Sequence, residues 1–251
     1  MNTSIYYMVN ASLYFDFDGS GILIDGVHEG QKKGFSPMPV STDRALRQHT
    51  GIFADLRGAL FTHLHPDHFD RNRLDYLMRF SAPLSVYGPG LDCSNVHVSR
   101  LSENVISFPV GQTTVTAVSN THDGEEFRGE PHRSFLLEHS GERFFIAGDA
   151  ILDPESDSTF LQSVSGPVTA AFVNLYQAAS PAGKDYLRAL QPDRIFLYHF
   201  PFPGDDKANY WRLGKQIAKK WPGDLPMLEL PEPMNWISDN RLIRHMLEIV
   251  I

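Results

Sequence analysis

The sequence predicts an α/β fold, on three observations. Short apolar runs of strand type are bounded by turn residues, and segments with apolar side chains at helical spacing follow them, twice over. The 251 residues are 42% hydrophobic, enough to bury one sizeable core. No Gly/Ser linker, low-complexity tract or long charge block divides them, so a single domain over 1–251 is the expectation.

Ile5–Val9 and Leu13–Phe17 read as strands, and Asp18-Gly-Ser-Gly21 as the tight turn into a third, Ile22–Asp25. The segment 26–40, with His28, Lys32, Lys33, Phe35 and two prolines, is irregular: either a border of a cleft or a solvated connection. Ser41 or Thr42 caps a short helix that stops before Gly51. Gly58–Thr62 is a buried strand, and Asp70 caps a helix with Leu74, Leu77 and Met78 on one face. Ser180-Pro181 supplies the cap and first turn of a helix that ends before Pro192. Another helix runs from Asp206 to Trp221, and Asn240–Ile251 forms a closing amphipathic helix. Trp211, Trp221 and Trp236 read as core anchors.

The densest chemistry lies in Thr62–Asp70, T-H-L-H-P-D-H-F-D. His63, His65, Asp67 and His68 fall within six positions, and imidazole with carboxylate suits a borderline divalent cation such as zinc. Side chains two apart on an extended chain point the same way, so His63 and His65 can grip one ion from one side. Pro66 turns the chain, and Asp67 and His68 swing toward a second ion. The plain alternative is a His-rich loop that holds no metal.

Three further residues extend the pattern, each where a strand-like run ends. His122 follows Thr113–Val118, Asp149 closes Arg143-Phe-Phe-Ile-Ala-Gly-Asp149, and His199 closes Arg194–His199. This ordered set, H-x-H-x-D-H followed by a lone His, Asp and His, resembles the signature of the metallo-β-lactamase superfamily of di-metal hydrolases. The resemblance implies a four-layer αββα sandwich. It also implies that His63, His65 and His122 hold one metal, Asp67, His68 and His199 a second, and that Asp149 bridges them. The implied cofactors are two divalent ions, zinc first, with manganese or iron as alternatives. Such ions lower the pKa of a shared water to near neutrality, and the resulting hydroxide is the nucleophile. Asp67 is then both ligand and catalytic residue, accepting the hydrogen bond that orients the hydroxide.

Within the superfamily, Ser85-Val-Tyr-Gly-Pro89, the hairpin from Phe135 to Asp149 and the Pro192-x-x-Ile195-x-x-x-His199 form are similar to the UlaG-like group, which includes ascorbate-6-phosphate lactonase. Where that group often carries Gly-His-(Ala/Ser) near the N-terminus, Asn10-Ala-Ser12 stands here. Asp25 is the leading candidate to accept a hydrogen bond from a ligand histidine, a turn carboxylate being its alternative. Thr62 and Thr121 each precede a ligand His. His132 and Arg133 are candidates for substrate contact. His28, His49, His97, His139 and His245 read as surface or packing histidines, and Cys93 as inert.

The formal charge of −8 argues against a duplex nucleic-acid surface. Met1–Phe17 lacks a signal-peptide pattern, no apolar run reaches membrane-spanning length, and a single cysteine precludes an intrachain disulfide; a cytoplasmic protein is expected. The apolar tail Met246–Ile251 offers a face to a second copy, so a homo-oligomer is one expectation. These readings converge on a metal-dependent hydrolase of a small ester, lactone, amide or phosphodiester, anionic substrates included. A di-iron redox protein and a non-catalytic metal-binding sensor on the same fold are the alternatives.

Overall fold

The computed structural model describes residues 3–30, 34–79, 84–91 and 95–237. Its first half runs β1 (Thr3–Tyr7), β2 (Leu13–Phe17), β3 (Gly21–Ile24), α1 (Val40–Gln48), β4 (Leu56–Leu60), α2 (Arg71–Arg79) and β5 (Ser85–Tyr87). There follow β6 (Ser99–Arg100), β7 (Val105–Val110), β8 (Thr113–Asn120), β9 (His132–His139) and β10 (Glu142–Ile146). The remainder is α3 (Ser158–Ser163), β11 (Ala170–Val173), α4 (Leu175–Ala179), α5 (Pro181–Leu190), β12 (Ile195–Leu197), α6 (Tyr210–Lys219), β13 (Leu228–Glu229) and β14 (Asn235–Trp236).

These strands form two mixed sheets, in the orders β14-β1-β2-β3-β4-β5 and β13-β12-β11-β10-β9-β8-β7-β6. The two-residue period of a strand explains how they stack. In β2, Leu13, Phe15 and Phe17 enter a core shared with Phe144 and Ile146 of β10 and Phe172 of β11, which is the space between the sheets. The intervening residues face outward. Tyr14 and Leu23 pack with Leu46 of α1 and Leu74 and Leu77 of α2, whereas Phe145 and Ile195 pack with Phe160, Tyr186 and Leu187 of α3 and α5. Sheets buried on both faces and covered outside by helices give the four layers. Fully burying each large apolar side chain contributes on the order of 1.5–3 kcal/mol, so the three clusters hold the layers together.

Local signals act largely as expected. Asp18 and Gly19, at φ 52° and 82°, make the tight turn between β2 and β3. Asp70 accepts the Arg73 amide at the start of α2, and the Ser180 hydroxyl accepts that of Gly183 ahead of Pro181 in α5. Three expectations need correction. Helix α1 starts one residue before Ser41, with Pro39 at its cap and no side-chain cap, because the fixed φ of proline already sets the entry. Met78 is 37% exposed and lies off the buried face made by Leu74 and Leu77. Helix α6 begins at Tyr210, since Asn209 is left-handed at φ 59°; Asp206 still accepts the amides of Tyr210 and Trp211 from outside the helix. Trp211 and Trp221 pack on the rim of a core rather than inside it. Cys93, His245 and the expected closing helix 240–251 lie outside the described residues. No helix among the described residues is long and apolar enough to cross a membrane.

Candidate metal centre

Strands β3, β4, β5 run parallel, as do β10, β11, β12 and β13, so their carboxyl ends share one edge of each sheet. Loops leaving such an edge aim side chains at a common point. Three of the exits carry a left-handed residue: Asp25 after β3 at φ 50°, Gly148 after β10 at φ 60° and His199 after β12 at φ 69°. This conformation is uncommon for side chains other than glycine and clusters at functional sites. Gly148 has a steric reason as well, because a Cβ there would lie 2.7 Å from His132 Nε2 and 2.8 Å from Thr62 Cβ.

All seven residues singled out by the motif come together. After β4 the chain makes one helical turn, with the amides of His68 and Phe69 donating to the His65 carbonyl, and this brings Asp67 and His68 back toward His63. His63, His65 and His122 offer donor atoms within 4.8 Å of one another; so do Asp67, His68 and His199, and so do His63, His68 and Asp149. Asp149 spans the set. Its Oδ2 lies 3.8 Å from Nε2 of His63, 3.4 Å from that of His68 and 3.8 Å from that of His122, while Oδ1 lies 3.2 Å from His199 Nδ1. Asp67 Oδ2 is 3.5 Å from His199 Nε2.

Hydrogen bonds behind the cluster decide which ring nitrogens face it. Asp25, fully buried, accepts the Thr62 amide at 2.8 Å, the Thr62 hydroxyl at 2.7 Å and His68 Nδ1–H at 3.0 Å. With its proton given to Asp25, Thr62 Oγ1 accepts from His63 Nδ1 at 3.0 Å. His122 Nδ1–H donates to the Asp123 carbonyl. In each of these imidazoles Nε2 is therefore the nitrogen turned inward. Nε2 of His63, His68, His122 and His199 is buried without a hydrogen bond. Buried nitrogens left unsatisfied are costly, and here they converge on two carboxylates.

Electrostatics show what the cluster lacks. Burial would raise the carboxyls of Asp67 and Asp149, yet His199 and His68 outweigh it and hold both well below the ordinary range. Burial would lower His68 and His199, yet Asp25 and Asp149 raise the former and Asp149 and Asp67 the latter. Burial together with neighbouring His68 pushes His63 well down. Protons on two imidazoles thus balance two buried anions, and a divalent cation among these donors supplies the same charge. The residues fit a metal in both donor type and charge.

Other candidates resolve differently. Thr62 belongs to the support network, whereas Thr121 is exposed. His132 makes no wall of the cleft; buried, with its pKa pushed down to about 3 by desolvation, it accepts the Asp149 amide on Nε2 at 3.0 Å and so positions that residue. Arg133 donates to the Asn104 carbonyl. Among the histidines expected to pack, His28 is 1% exposed and bonded to Ser12, and His139 stacks on Phe17, while His97 is exposed.

Sequence reasoning missed one contributor. Asn174, immediately after β11, donates to Asp149 Oδ1 at 3.0 Å and closes a capping box with Gln177. A polar residue directly after the apolar run Ala170–Val173 was its signal, the rule that located the other ligands. Phe35 lies flat on His199, centroids 4.8 Å apart, which assigns its loop to the cleft border. Next to it, Ser36 is fixed by both amide atoms of Asn10, at 2.9 and 3.1 Å. A cavity of about 440 Å3 opens over the cluster, within the range of small-molecule sites.

No family model matches the sequence, and no curated protein matches it. Among solved structures the chain is similar to CmlA, a diiron β-hydroxylase from Streptomyces venezuelae, with a TM-score of 0.62 at 15% identity, over 95% of this chain and 54% of that one. The chain thus spans about half the length of the hydroxylase. It is similar over 94% of its length, and 97% of the other, to a metallo-hydrolase from the archaeon Ignicoccus hospitalis, at 13% identity and a TM-score of 0.57. The metallo-β-lactamase fold protein YhfI from Bacillus subtilis aligns over 93% of this chain and 96% of its own, at 12% identity and a TM-score of 0.58. Two mixed sheets with helices outside, matched to these proteins over nearly the whole chain, give it the metallo-β-lactamase fold.

Proposed function

We propose that the protein is a metal-dependent hydrolase of a small ester, lactone, amide or phosphodiester. The observation that carries this reading is the convergence of four buried, unbonded imidazole Nε2 atoms on Asp67 and Asp149 beneath an open cleft. In this reading His63, His65 and His122 would hold one ion and Asp67, His68 and His199 a second, with Asp149 available to both. Zinc suits the imidazole and carboxylate donors best, with manganese and iron as alternatives. Bound here, two such ions supply Lewis acidity and a water acidified to near neutrality.

The side chains do the rest. Asp67 stays anionic and accepts the hydrogen bond that orients the attacking water. Asp25 and Thr62 hold the rings of His68 and His63 in place. Tyr210 lines the cleft, and burial, then Tyr176 and Asp67, keep its phenol protonated, so it donates to the leaving group. One water is consumed: its oxygen bonds to the acyl or phosphoryl centre, the bond to the leaving oxygen or nitrogen breaks, and a proton ends on that atom. The motif and the Pro192 to His199 segment support placement with the UlaG-like hydrolases, and the single cysteine supports a cytoplasmic setting.

Metal quantification paired with a panel of lactones, esters, thioesters and phosphodiesters tests the reading. About two equivalents of metal and turnover abolished by chelation are expected; a rate that survives complete metal removal ends it. The likeness to a diiron β-hydroxylase supports a second reading, an iron-dependent oxygenase. A visible di-iron absorption after aerobic purification, with oxygen consumption and no hydrolysis, would establish that alternative instead.

A further inference from the structure

The cleft has walls suited to a cation. Phe127 stands edge-on to His65 at 4.7 Å and to His122 at 5.3 Å. Phe35 covers His199 and stacks toward Tyr210 at 6.0 Å, and Tyr176 also lines the cleft. Outside the His/Asp cluster, the charged groups on the cleft are the carboxylates of Asp123 and Glu126, and no lysine or arginine is among the described residues that line it. Three basic residues are engaged elsewhere: Arg73 pairs with Asp43 and Glu29, Arg71 lies over the Phe69 ring and Lys184 donates to the Ala179 carbonyl.

Aromatic faces attract ammonium groups through the ring quadrupole, and nearby carboxylates add charge. The formal charge of −8 favours approach of a cation. We propose that the cleft recognises a protonated amine on its substrate, as in an aminoacyl ester or amide. The ammonium is held between the aromatic walls and the Asp123 and Glu126 edge, while the acyl carbon faces the His/Asp cluster. This deepens the hydrolase reading and rests on it for the scissile bond, although not for binding of the amine.

The test compares three ethyl esters with one scissile bond: phenylalanine ethyl ester, its N-acetyl form and its N-succinyl form, which are cationic, neutral and anionic. In the metal-loaded protein kcat/KM is expected to favour the cationic ester over the anionic one by about tenfold or more, and the preference to collapse in the Asp123→Asn/Glu126→Gln double variant. Binding of phenyltrimethylammonium, followed by titration calorimetry in loaded and metal-depleted protein, is expected to weaken in the same variant. Preference for the succinyl or acetyl ester, or ammonium binding that is absent or unchanged in the variant, overturns the proposal and leaves hydrolysis standing. Ammonium binding that the variant weakens, with no ester cleaved, supports the proposal and removes the hydrolase reading.

Discussion

The Phe35 ring lies parallel to the His199 imidazole, 12° between planes and 4.8 Å between centroids, so a residue of an irregular loop roofs a proposed ligand. Offset aromatic pairs of this kind contribute about 0.5–1.5 kcal/mol beyond area burial. Phe35→Ala is expected to raise KM about tenfold while kcat changes less, because the ring shapes the cleft and leaves the cluster intact. Steady-state kinetics decide it; a fall in kcat at constant KM would place Phe35 in the chemical step instead.

Asp25→Asn attacks the site from behind. The amide would set a donor against one of three donors that Asp25 now accepts, from Thr62 and His68. Metal affinity is expected to fall by about 10–100-fold, as read by competition with a chromophoric chelator. Unchanged affinity would reduce Asp25 to a turn residue.

In the proposed mechanism the phenol of Tyr210 is the proton donor. Tyr210→Phe keeps the ring beside Phe35 and removes only the hydroxyl. A loss of about 100-fold in kcat with little change in KM is expected. Full activity would move the proton to a water or to Asp149.

One acid outside the His/Asp cluster sets a pH dependence. Asp157 is 5% exposed and accepts the Asn120 amide at 2.6 Å; burial pushes its pKa up to about 6 against the opposing influence of Tyr186 and Asn120. Its unfolded value is about 3.9, so between roughly 4 and 6 the folded chain binds more protons than the unfolded one. Stability from this group is present at low pH and is lost as pH rises through that window. Asp157→Asn is expected to gain Tm relative to the parent as pH rises from 4 to 6.5, and then to hold that gain. A difference that shrinks with pH would reverse the assignment.

Much of this was legible because the strands around the site are short, apolar and abruptly ended. Leu13–Phe17 is the strand the sequence predicts, and His63, His122, Asp149 and His199 each lie within three residues of such an end. What escaped depends on contacts between distant segments. The two-residue strands β6, β13 and β14 have no periodicity to read and exist through pairing with β7, β12 and β1. Phe35 could have been any loop aromatic until Asn10 was seen to hold Ser36 beside it. His132 reads first as a packing histidine and second as a cleft residue, and its acceptance of the Asp149 amide shows what it does.

The donors come from both sheets: His63, His65, Asp67 and His68 from the exit of β4, and His122, Asp149 and His199 from the exits of β8, β10 and β12. An ion seated among them rivets one sheet to the other, at an edge where the greasy interior gives way to solvent. Ligation free energy then adds directly to folding free energy. Melting the chain becomes a way of weighing such a cargo, one that needs no knowledge of any substrate.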